Sequence, residues 1–96
     1  MTGLIFVDGI KLSLNPFITT HTANLIDAIA RSLKSPEGNR IEVRLRDEEV
    51  GLQVDGQEIP LNIGQAQRII SNLLRGFIQS LHGAESGTEF RFLCER

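Results

Sequence analysis

The sequence predicts an α+β fold: two ββαβ units in tandem, with both helices on one face of a largely antiparallel sheet. Three observations carry this. A Val-Asp-Gly triplet occurs at Val7-Asp8-Gly9 and again, 47 positions on, at Val54-Asp55-Gly56, with Leu14-Asn15 matching Leu61-Asn62 at the same shift. A shift of 48 lays Asn24-Leu25 on Asn72-Leu73 and Ser32-Leu33 on Ser80-Leu81. A return to 47 lays Glu42-Val43-Arg44-Leu45 on Glu89-Phe90-Arg91-Phe92. Blocks that recur in the same order indicate an internal repeat, here about 3–47 and 50–94 within one domain covering 1–96.

Each unit opens with a hairpin. Leu4–Val7 and Ile10–Leu14 flank Asp8-Gly9, and Asp-Gly suits a type I′ turn, in which both central residues have positive φ. The second hairpin joins Val50–Val54 to Gln57–Leu61, and Pro60, which has no N–H to donate, marks that strand as short or at an edge. Ile5, Val7, Ile10 and Leu12 are expected to face the core. Leu4 and Phe6 then share the open face with Lys11 and Ser13, where the second copy has Gly51, Gln53, Glu58 and Pro60. This asymmetry makes Leu4 and Phe6 interface candidates.

Asn15 is the expected N-cap of the first helix, with Pro16 at its first position, and Asn62 is the matching cap. Ile18, Thr22, Leu25, Ile29 and Leu33 form the expected buried stripe, ending near Ser35-Pro36. The second helix is expected from about Ile63 to His82, stopping at Gly83. Ile63, Ala66, Ile70, Leu73, Phe77 and Leu81 form its first apolar line, and a second beside it, Ile69, Leu74 and Ile78, supplies further interface candidates. The small Ala28 and Gly76 would permit close helix–helix approach. The last strands, Ile41–Arg46 and Glu89–Cys94, alternate apolar and charged residues, as a sheet with one buried face requires. A ferredoxin-like βαββαβ is the alternative fold, with each hairpin a single bent strand and no separate turn at Asp8-Gly9.

Composition narrows function without naming one. Ten basic and twelve acidic residues give a net charge of −2, lacking the basic surplus expected of nucleic-acid binders. One cysteine, Cys94, excludes an intramolecular disulfide. No run approaches the ~20 apolar residues of a membrane span, and Met1–Asp8 lacks the basic start of a signal peptide. A cytoplasmic location is therefore expected. His21, His82 and Cys94 lack metal-ligand spacing, Gly51 to Gly56 lacks the Lys-Ser/Thr of a phosphate loop, and Asp8 and Asp55 are turn residues first. No catalytic residue, metal site or cofactor is assigned. Arg44 and Arg91, with Arg46 and Lys11 nearby, are candidates for holding an anion, though pairing of the arginines with Glu42 and Glu89 would also account for them.

The segment Val54-Asp-Gly-Gln-Glu-Ile-Pro-Leu-Asn62, with the helix running through Ser80-Leu-His-Gly-Ala-Glu85, resembles a small uncharacterised bacterial domain found alone or attached to molybdenum-cofactor biosynthesis proteins. In that domain Asn-Pro-Phe follows the strand; here Asn15-Pro16-Phe17 matches, whereas the second copy has Asn62-Ile63-Gly64. The resemblance rests on structural residues and transfers no active site. Two functions are expected from the whole reading. One is a non-enzymatic binding or assembly module that associates with itself or another protein. The other is an accessory protein holding an anionic cofactor or nucleotide through Arg44 and Arg91.

Overall fold

The computed structural model describes residues 1–61, 64–84 and 86–96. Its elements run β1 (Thr2–Val7), β2 (Ile10–Lys11), α1 (Pro16–Ser32), β3 (Arg40–Arg46), β4 (Glu49–Val54), β5 (Gln57–Ile59), α2 (Gln65–Gln79) and β6 (Glu89–Glu95). All strands join one antiparallel sheet in the order β2-β1-β6-β3-β4-β5, and the helices cover one face. The order is its own reverse when β1, β2 and β3 are exchanged for β4, β5 and β6. Each hairpin thus lies beside the last strand of the other half.

Both Asp-Gly pairs turn their hairpins with positive φ at both residues: 50° and 83° at Asp8 and Gly9, 51° and 81° at Asp55 and Gly56. Those two separate turns match the ββαβ expectation and not the ferredoxin-like alternative. The outer strand β2 is shorter than expected, whereas β5 is short and at the edge as Pro60 predicts. Only Ile10 and Lys11 pair fully in β2, with one further bond from Leu12 N–H to the Ile5 carbonyl at 2.9 Å. Ile10 lies opposite Val7 on the core side as expected, but at the sheet edge it is left 72% exposed. Pro60 ends β5 at the sheet edge.

Asn15 caps α1 as expected, its side chain accepting from Ile18 N–H at 2.9 Å. The buried face is Thr22, Ala23, Ile26, Ile29 and Ala30, rotated from the predicted stripe, so that Ile18, Leu25 and Leu33 lie at its margins. The small alanines bring the helix close to the sheet, a preference that apolar periodicity weighted toward large residues does not register. At its end Lys34 N–H bonds to the Arg31 carbonyl and Ser35 N–H to that of Ala30, both at 3.1 Å. This is a Schellman arrangement, with Lys34 at φ 54° in a place that favours glycine. Lys34→Gly is expected to stabilise the protein by about 1 kcal/mol by removing the left-handed penalty, read as a higher urea midpoint with unchanged slope.

The expected cap Asn62 and the first expected helical residue Ile63 lie outside the described residues. Helix α2 starts at Gln65 after Gly64 at φ 49° and ends well before Gly83, through three-residue bonds from Ser80 to Phe77 and Leu81 to Ile78. Its buried residues are Ile70, Ser71, Leu74 and Ile78. At the shift of 48 these match Thr22, Ala23, Ile26 and Ala30 of α1. Ala28 and Gly76 are both exposed, and no heavy atom outside the helix lies within 4 Å of where a Gly76 side chain would begin. The helices therefore do not close on that pair. Helix α1 packs on β1, β6 and β3, whereas α2 rests chiefly on β4.

The core between sheet and helices includes Ile5, Ile26, Ile41, Val43, Leu45, Leu52, Leu74 and Phe92. Cys94 is buried in it, its Sγ 3.6 Å from Met1 Sδ; burial pushes its thiol pKa up.

Candidate functional site

The repeated Val-Asp-Gly does more than turn the chain. The Asp8 carboxylate accepts from Glu89 N–H at 2.8 Å, Thr88 N–H at 3.1 Å and the Thr88 hydroxyl at 2.8 Å. The Asp55 carboxylate accepts from Asn39 N–H at 3.0 Å and Arg40 N–H at 2.9 Å. Each hairpin thus ties down the loop that enters the other half's last strand. The valines have matched roles too. A side chain at Gly38 would strike Val54 and Asp55, and one at Gly87 would strike Val7 and the Phe90 ring.

These contacts pair Gly38 with Gly87, Asn39 with Thr88 and Arg40 with Glu89, a shift of 49. The expected return to 47 in the last strand is therefore corrected. Arg44 and Arg91 are not equivalent positions; they are direct cross-strand partners on β3 and β6. Like charges directly opposite repel, and each guanidinium turns to its own carboxylate. Arg44 crosses β4 over Gly51, where no side chain intervenes, and pairs with Glu58 of β5. Arg91 pairs with Glu89 of its own strand at 3.4 Å. The partners are thus Glu58 and Glu89, and Glu42 takes neither arginine. Among the described residues no ion pair is found for Arg46 or Lys11. The shallow cleft beside Arg44 and Arg46 is also lined by Glu49, Glu58 and Glu89, an acidic majority ill suited to an anion.

Asp8 is held below the usual carboxylate range from 3.8, first by the Glu89 N–H bond and then by Thr88. Asp27 is lowered as well, by hydrogen bonds from Arg31 and then Arg96. Arg96 also donates to the Gly38 carbonyl at 3.0 Å, so Asp27 anchors the chain end beside β3. A lowered folded pKa contributes stability above the unfolded pKa of ~3.9. That contribution is lost as pH falls through the folded values. The urea midpoint is therefore expected to drop below about pH 4, and Asp8→Asn is expected to lower it at neutral pH while making the acid decline shallower.

Of the interface candidates, Leu74 and Ile78 are buried in the core against the sheet and offer no surface. Leu4 and Phe6 do lie on the open face, but only partly exposed. Leu4 pairs with Leu93, which is 1% exposed although it lies outside the main core cluster. Sequence reading missed Leu93: in the run Phe92-Leu93-Cys94 all three residues are apolar, so alternation does not single out the one that faces away from the helices.

Ile69 is 67% exposed, and it does not stand alone. Residues four apart are neighbours on a helix, which places Ile69, Leu73 and Phe77 in one row. The Phe77 ring meets His21 edge-on with centroids 5.4 Å apart, and His21 stacks on Phe17 at 5.9 Å. Phe17 is 75% exposed and Leu73 48%. The result is an apolar band joining the start of α1 to the outer side of α2. Sequence spacing places Leu73 in the first apolar line of α2 and gives Phe17 and His21 no place on a surface; their exposure is a finding of the tertiary structure.

Among the described residues there is no group of three or more His, Cys, Asp or Glu side chains able to hold a metal ion, and no helix is long and apolar enough to cross a membrane. Comparison of the chain with protein families, with curated proteins and with solved structures finds no match.

Proposed function

We propose that this protein is a cytoplasmic, non-catalytic assembly module, built by tandem duplication, that pairs with a second copy of itself through the helix side. The observation that carries the reading is the band Phe17–His21–Phe77–Leu73–Ile69, which includes three of the large hydrophobics most exposed to solvent. Contiguous exposed apolar surface marks interaction sites more often than scattered residues do, and a small domain gains from covering it. A twofold dimer uses the same patch twice, so one band suffices. Duplication is supported by the self-reversing strand order and by the matched Asp8 and Asp55 contacts. Engagement of Arg44 by Glu58 and of Arg91 by Glu89 favours this reading over anion binding.

Sedimentation equilibrium over a range of concentrations tests it. A reversible dimer is expected, and Ile69→Glu with Leu73→Glu should give a folded monomer with an unchanged circular-dichroism spectrum, since both side chains are largely out of the core. Its melting temperature should no longer depend on concentration. A wild-type chain that stays monomeric at the highest concentration would remove the proposal.

A further inference from the structure

Neither half of this chain is closed by its own strands. In residues 1–46, β1 and β2 pair with each other, but β6 lies between β1 and β3; in residues 49–96, β3 lies between β4 and β6. The β1–β6, β3–β6 and β3–β4 ladders all run between halves. So do the Asp8 bonds to Thr88 and Glu89 and the Asp55 bonds to Asn39 and Arg40. One covalent crossing joins the halves, the two-residue turn Asp47–Glu48 between Arg46 and Glu49.

That turn differs from the other two hairpins. Asp47 has φ 53° and Glu48 is not left-handed. With positive φ at the first place only, the turn lacks the paired positive φ of the Asp-Gly hairpins. Asp47 holds positive φ without glycine, as Asp8 and Asp55 do, but no glycine follows it as Gly9 and Gly56 follow them. An L-residue held there is strained, and three consecutive carboxylates, Asp47, Glu48 and Glu49, crowd the bend. Extending the segment relieves both. Every other contact between halves is indifferent to which chain supplies it.

We infer that the chain can form a half-exchanged homodimer, in which residues 1–46 of one copy fold against residues 49–96 of another and the Asp47–Glu48 turn opens into a straight connection. Exchange of an identical element is a low-cost route to a dimer when a short hinge carries strain. This inference does not use the helix-side band, and the two associations are separable.

Glu42 and Gln53 are direct cross-strand partners on β3 and β4, on the open face. Their Cα spacing of roughly 5.5 Å suits a disulfide, and the buried Cys94 does not compete. Glu42→Cys with Gln53→Cys, refolded at high concentration and then oxidised, is expected to give a dimer fraction linked by interchain disulfides, visible without reductant, beside intrachain-linked monomer. Adding Asp47→Gly should lower the dimerisation constant by about tenfold or more, because each dimer opens two turns. No dimer at any concentration, or a dimer whose disulfides are all intrachain, overturns the exchange. The second outcome leaves helix-side pairing standing, and loss of that dimer on Ile69→Glu and Leu73→Glu would identify it.

Discussion

Gly3→Val is expected to destabilise the protein by about 3 kcal/mol or more, the upper end of the cost of overpacking. At its position in β1, an added Cβ would lie 2.6 Å from the Ala23 backbone nitrogen and 2.8 Å from Thr22 Cβ, and would also strike the Thr19 carbonyl. A flexible side chain can swing aside, but the backbone of an α-helix moves only as a unit. Accommodating valine therefore means lifting α1 from β1 and separating Ala23 and Ile26 from the core. For a chain of this length, total stability of roughly 5–15 kcal/mol leaves little margin. The test is pointed because valine is what the other half carries: at the shift of 47, Gly3 corresponds to Val50, which is accommodated at the edge of the core. Urea unfolding should rank wild type above Gly3→Ala above Gly3→Val. A Gly3→Val protein within about 1 kcal/mol of wild type would mean that α1 does not sit so close to β1.

Phe92→Ala is expected to cost about 3–5 kcal/mol. Phe92 lies on β6 opposite Val43 of β3 and is fully buried. Because β3 and β6 are the two central strands, its ring fills the middle of the layer between sheet and helices. Its centroid lies 6.4 Å from that of Phe77, so it also supports the ring that continues to His21 and the surface band. Truncation removes the transfer energy of a large aromatic and leaves a cavity that a two-layer domain closes poorly. Phe92→Leu should recover most of the loss. Phe17→Ala, at the exposed end of the same series of rings, should change stability by no more than about 0.5 kcal/mol. Comparable losses for Phe92→Ala and Phe17→Ala in calorimetry would show that Phe92 is not the centre of the core.

The α+β class, the one-sided sheet and both Asp-Gly turns were legible because each rests on a local signal. Asp-Gly satisfies a turn by itself, Asn15 and Pro16 cap a helix by themselves, and alternation states which residues share a face. The candidate surface was less legible. The sequence puts Ile69 in the second apolar line of α2 together with Leu74 and Ile78, which the sheet buries. A helix wheel reports that two apolar rows exist and not which row the sheet takes. Phe17 and His21 join the surface only because α1 and α2 are brought side by side.

The last strands show most plainly what sequence leaves open. Glu42-Val43-Arg44-Leu45 matches Glu89-Phe90-Arg91-Phe92 at a shift of 47, while the Asp8 and Asp55 hydrogen bonds and the Gly38 and Gly87 contacts require 49. A slip of one residue would reverse every inward and outward position, but a slip of two preserves them all. Alternation therefore determined which face of each strand is buried and could not determine how far along its neighbours the strand lies. That distance was set in three dimensions, by two carboxylates reaching backbone N–H groups eighty-one and fifteen residues away and by two glycines small enough to pass beneath two valines.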